Sequence, residues 1–227
     1  MKNKKIALIT TAAMALVCLA ACKPGENPED AIRKVVTDYY DAKWQEIDSL
    51  DERLENTEEF IVPDSDLYEE TEEWIEEGEE YIEEGGKTYG EDNFEEYMLT
   101  LTNAGSKNCE LEIKEVVVEE DTAEVTVRVS TPDAEEAIKL VNEAELKLKE
   151  EYVKDEYGIT LDSFVSQVST KTQSEQQAYV QDLIDGIWPD LMDEIEEIFE
   201  DEDLIDTEET TVYLEKVDDK WLITKIK

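Results

Sequence analysis

The chain has 227 residues, of which 63 are Asp or Glu, 21 are Lys or Arg and none is His, for a formal net charge of −42. Such a field repels phosphates, which excludes nucleic acid as a partner, and it repels anionic headgroups and acidic polymers as well. The missing imidazole removes the commonest general base, the usual zinc ligand and the Ser-His or Cys-His nucleophile systems.

Residues 1–5 are basic, and Ile6–Ala21 is an apolar run broken only by Thr10 and Thr11 before it closes on small residues. That is the order of a secretory signal. With about 16 apolar residues it falls short of the roughly 20 that a spanning helix needs. The run ends in Leu19-Ala20-Ala21-Cys22, which resembles the lipobox of bacterial lipoproteins. The resemblance implies a diacylglycerol on the Cys22 sulfur and cleavage between Ala21 and Cys22. The expected organisation is a signal peptide at 1–21, a lipid-anchored linker at 22–26 and a single acidic α+β domain at 27–227. The mature charge would be about −45, because residues 1–21 take three lysines with them. Cys18 leaves with the signal and Cys22 carries lipid. Cys109 then stands alone, with no intramolecular disulfide available.

Asn27 can cap a helix with Pro28 in first position and Glu29 and Asp30 in the first turn. Apolar residues recur at Ile32, Val36, Tyr39, Ile47, Leu50 and Leu54, which predicts one helix ending before Pro63. A second helix is expected at 66–84, with Leu67, Thr71, Trp74, Ile75, Gly78, Tyr81 and Ile82 as its buried stripe and Gly85-Gly86 as its stop. A short third helix is expected around 92–101. Between 109 and 131 the period changes to two. Ala123, Val125, Val127 and Val129 alternate with polar residues, so this segment pairs with Cys109–Glu119 through a turn near Glu120-Asp121. Cys109 shares parity with Leu111 and Ile113, which favours a buried thiol over a reactive one.

Thr131 and Pro132 are expected to cap a helix with Ala134, Ala137, Ile138, Val141, Leu148 and Tyr152 on its face and Gly158 at its end. Another helical region runs from about 162 to 200, broken near Thr172, with Ser174-Glu175-Gln176-Gln177 in capping-box form. Its stripe is Leu183, Ile184, Ile187, Trp188, Leu191, Ile195 and Phe199. Pro189 inside it displaces the carbonyl of Asp185. The chain closes with a hairpin of 210–217 and 220–227 about Asp218-Asp219, with Val212, Leu214, Trp221 and Ile223 as core contacts.

Two non-adjacent hairpins joining in one antiparallel curved sheet, with several helices packed against it, make an α+β fold with a helical insertion at about 133–205. Asp121–Val127 and Val217–Ile223 resemble the strand pairs of lipoproteins with a nuclear-transport-factor-like, or cystatin-like, domain. The resemblance implies a cone-like fold around a long N-terminal helix and a Gram-positive membrane. That fold hosts both enzymes and binding modules.

No phosphate loop, nucleophile elbow or cysteine-based metal site is present in the sequence, so no catalytic, cofactor or metal residue is assigned. Asp64-Ser65-Asp66 and Asp201-Glu202-Asp203 offer oxygen ligands without the glycine and terminal glutamate of an EF-hand. The expected function is a non-enzymatic binding or scaffold module, lipid-anchored on the extracytoplasmic face of the cell membrane, contacting an envelope protein or cationic peptide. A carboxylate-based envelope enzyme and a calcium-responsive acidic surface protein are the alternatives. A concave sheet lined by Val and Trp residues would favour the binding or scaffold module, and a solid core with no pocket would shift the reading toward a purely protein-contact role.

Overall fold

The computed structural model describes residues 27–227. Helix α1 (Pro28–Lys43) begins at Asn27, whose side chain accepts from the Glu29 N–H at 3.3 Å. Its buried stripe is Ile32, Val35, Val36, Tyr39 and Tyr40. The helix stops at Trp44, so the periodic pattern that predicts one helix to residue 62 is in fact split. After a loop comes the short helix α2 (Glu52–Thr57), then a single 3-10 turn at Glu58–Phe60. Ile47 and Leu50 lie in the loop and are buried there with Ile75.

Helix α3 (Asp66–Tyr89) is capped by Ser65 and runs through Gly85-Gly86. Those glycines do not stop the helix. They let the next helix, α4 (Glu91–Lys107), fold back closely: a Cβ on Gly85 would stand 2.2 Å from the Phe94 ring. The terminator is Gly90, at φ +88°, a conformation that favours glycine.

Four strands follow the period-two signal: β1 (Glu110–Glu119), β2 (Thr122–Pro132), β3 (Ile205–Val217) and β4 (Lys220–Ile226). They form one antiparallel, open sheet in the order β1-β2-β3-β4. Asp218 and Asp219 both have positive φ, as a tight two-residue hairpin requires. On one face Ala123, Val125, Val127, Val129, Val212, Leu214, Trp221 and Ile223 pack against α1, Ile61 and Leu67. The other face carries Glu124, Thr126, Arg128 and Tyr213, giving the half-buried alternation of a sheet covered on one side.

Between β2 and β3 the chain leaves on helices α5 (Ala134–Tyr157), α6 (Leu161–Val168) and α7 (Gln173–Phe199). Thr131 and Pro132 belong to β2. The cap of α5 is Asp133, accepting from Glu135 and Glu136 N–H. Gly158 ends the helix in the left-handed conformation. The capping box of α7 is formed by Thr172 and Glu175, two residues earlier than the expected start at Ser174: Thr172 is already extended and its hydroxyl accepts from Glu175 N–H. α7 continues through Pro189, and Gly186 beside it lies flush against the Tyr152 ring. Ala137, Val141, Leu191, Ile195 and Phe199 form a second apolar cluster with Ala104 of α4. Ile138, expected inside, is exposed.

Candidate functional site

The covered face of the sheet is filled by the chain itself. Ile32, Val36, Val125, Val127, Val212 and Ile223 are all fully buried, and each such side chain contributes about 1.5–3 kcal/mol when removed from water. Near the end of α1, the rings of Tyr39 and Tyr40 meet edge to face at 5.3 Å, and Trp44 continues the row. Burial pushes both hydroxyls above the ordinary tyrosine range. Arg53 is buried beside them and donates to the Gln45 carbonyl at 3.3 Å, which ties α2 to the loop before it. Cys109 sits just before β1, half-buried, and its thiol donates to the Gly105 carbonyl at 3.3 Å. Burial raises its pKa to about 11, against the opposing pull of Lys43 and Arg53. The thiol is protonated at neutral pH and therefore a poor nucleophile.

An open acidic cleft lies on the other side of the α1–α2 loop. Glu46 and Asp48 come from that loop and Asp92, Glu95 and Glu96 from α4, around a hollow of about 660 Å³ floored by Ile47, Leu99 and Asn103. Asn103 fixes the geometry by accepting from Ile47 N–H at 3.0 Å and donating to Ile47 C=O at 2.9 Å. Glu96 accepts from the Trp188 indole N–H at 2.8 Å, which joins the cleft wall to α7. Among the described residues no three Asp, Glu or Cys side chains converge closely enough to hold a metal ion. The cleft therefore offers separated negative charges, an arrangement that suits ammonium or guanidinium groups spaced along a partner better than one compact ion. Sequence reading does not find this cleft, because its two walls lie more than 40 residues apart and are brought together by the Asn103 clamp and by the packing of Leu99 against the Ile47 and Leu50 cluster. A smaller hollow of about 360 Å³ lies on the open sheet face at Val117, Glu124, Tyr213 and Thr224.

The two acidic triplets have local structural roles. Ser65 caps α3, Asp64 takes a positive φ in the turn before it, and Asp66 pairs with Lys225, which holds its carboxyl below the usual range. Asp201 accepts from Asp203 N–H at 2.9 Å and caps a single 3-10 turn. Cys22 and the cleavage position after Ala21 lie outside the described residues. No family model matches the chain, and comparison with the curated proteins and with the solved structures gives no significant match.

Proposed function

We propose that this chain is an extracytoplasmic lipoprotein, cut between Ala21 and Cys22 and held on the cell membrane by lipid on Cys22. Residues 27–227 act as a non-enzymatic contact or scaffold module for an envelope protein or cationic peptide. The packed face of the sheet supports the contact reading: side chains of α1 occupy the surface on which a small ligand would otherwise bind. What stays open is the other face of the sheet, with its smaller hollow, and acidic relief on helices and loops that suits basic protein surfaces.

The anchor itself rests on the basic, apolar and lipobox segments of residues 1–22. Among the described residues no helix is long and apolar enough to cross a membrane. Two acyl chains, at about 0.8 kcal/mol per buried methylene, suffice for stable attachment. Cys22→Ser is expected to abolish incorporation of labelled palmitate and to move the protein from the membrane to the soluble fraction, with its circular dichroism unchanged. A variant still firmly membrane-bound would overturn the anchor.

A further inference from the structure

Trp74 and Tyr81 stand seven residues apart on α3, on one side of the helix and about 10 Å apart along its axis. Trp74 is 40% exposed and Tyr81 66%, and neither makes a hydrogen bond or ring contact with another described residue. This corrects the expectation that both belong to the buried stripe. The packing of α3 is carried by Leu67 and Ile75, and by Gly78 lying against Leu50.

The setting of the two rings is equally uneven in charge. One helical turn to either side of each ring stands a carboxylate: Glu70 and Glu77 beside Trp74, Glu77 and Glu84 beside Tyr81. Of the ten glutamates on α3, only Glu83 forms a close ion pair among the described residues, with Lys87 at 3.5 Å, and Glu70 also feels the charge of Lys225. The α1–α2 loop and α4 add further acids, while β4 supplies a base, Lys225, which pairs with Asp66 at the start of the helix. Two large, partly exposed rings thus stand in a dense negative field, and no hydrogen bond or ring contact with another described residue uses them.

We propose that this face of α3 docks a basic amphipathic helix of another protein or peptide, with Lys or Arg side chains laid over Trp74 and Tyr81. It rests on the contact-module reading above and names the surface and the partner's chemistry. The faces of aromatic rings attract cations, and the flanking carboxylates complete a charge-assisted clamp. The spacing selects a helix. Residues i and i+7 of a partner helix rise by about 10.5 Å, whereas same-face residues of a strand repeat at about 6.7 and 13.4 Å. A second copy of this chain and an anionic bilayer are both repelled by the same field.

The test uses the full chain carrying Cys22→Ser, so that no detergent competes, and two 15-residue amphipathic peptides of identical composition. In one peptide the lysines fall at i and i+7 on a single face; in the other they are distributed round the helix. Tryptophan fluorescence and calorimetry follow binding. The first peptide is expected to bind and to perturb tryptophan emission. Trp74→Ala with Tyr81→Ala should weaken it by about tenfold or more, the behaviour of aromatic anchors at an interface. Trp74→Phe should retain most of the affinity, and Glu76→Gln on the opposite face should change it less than about twofold. Equal affinity for both peptides, or a double alanine variant that binds as well as the parent while keeping its helical signal, would overturn the proposal. Peptide binding is measured apart from membrane release by Cys22→Ser, so failure of one leaves the other readable.

Discussion

Glu76 sits on the water-facing side of α3 with a glutamate at every neighbouring helical position: Glu72 and Glu73 one turn before, Glu79 and Glu80 one turn after. Each like-charge pair at i,i+3 or i,i+4 costs about 0.2–0.5 kcal/mol. Glu76→Lys removes four such repulsions and replaces them with four attractions, so the ceiling is about 4 kcal/mol of added stability at low salt. Screening and side-chain entropy reduce this to about 1 kcal/mol at physiological ionic strength. In a chain of this size each kcal/mol moves the melting temperature by about 2–4 °C. Thermal and urea unfolding of the Cys22→Ser chain, in 10 mM and 500 mM NaCl, should show Glu76→Lys as more stable than the parent. Glu76→Gln should give about half the gain, and high salt should erase most of the difference. A charge reversal that is neutral or destabilising at low salt, or a gain indifferent to salt, would refute the reasoning.

Gly186→Ala is expected to destabilise by about 1–2 kcal/mol despite better helix propensity, because its Cβ would stand 2.0 Å from the Tyr152 ring and displace it from Asp182. Adding Tyr152→Ala should remove that conflict, so the double variant should be more stable than the sum of the two single changes. A Gly186→Ala chain that is more stable than the parent would show that the close approach does not matter. For Cys109, a pKa of about 11 leaves roughly a hundredfold less thiolate at pH 8 than a free cysteine has. Alkylation by iodoacetamide, followed by mass spectrometry, should be correspondingly slow and should accelerate as the pH rises toward 11. A rate equal to that of free cysteine at pH 8 would contradict the assigned environment.

Strand parity was the most legible feature. Ala123, Val125, Val127 and Val129 alternate cleanly with polar neighbours, and Val212, Leu214, Trp221 and Ile223 all reached the core as expected. Local signals such as Asn27, Gly158 and the Asp218-Asp219 turn also acted where the sequence places them. The caps of α5 and α7 were missed by one or two residues for local reasons, and the larger failures share one cause, which is that distant contacts decided them. α1 ends near Trp44 in a loop clamped by Asn103, 56 residues beyond Ile47. Gly85-Gly86 reads as a stop until Phe94 is seen to need the space. The apolar spacing of α3 is genuine, yet periodicity cannot say how wide a strip the rest of the chain covers. Trp74 and Tyr81 fell outside it. The acidic cleft was illegible for the same reason, since 63 scattered acids give no hint of which five will face one another.

The base of the helical excursion has a consequence for how this protein is built and rebuilt. Pro132 and Ile205 are paired across β2 and β3, and Asp133 N–H donates to the Leu204 carbonyl at 2.8 Å. The chain therefore departs and returns through a gap of about 5 Å, the spacing of any antiparallel pair. A short hairpin turn would bridge that gap without altering the register of the sheet. The α5–α7 segment is topologically a cassette, one that can be lengthened, exchanged or lost while β2 and β3 stay joined. Its cost of removal lies elsewhere, at Tyr97, Leu101 and Ala104 of α4, which would lose their apolar cover. Grafting this cassette elsewhere, or trimming it from here, therefore calls for redesign of one helix face and leaves the sheet alone.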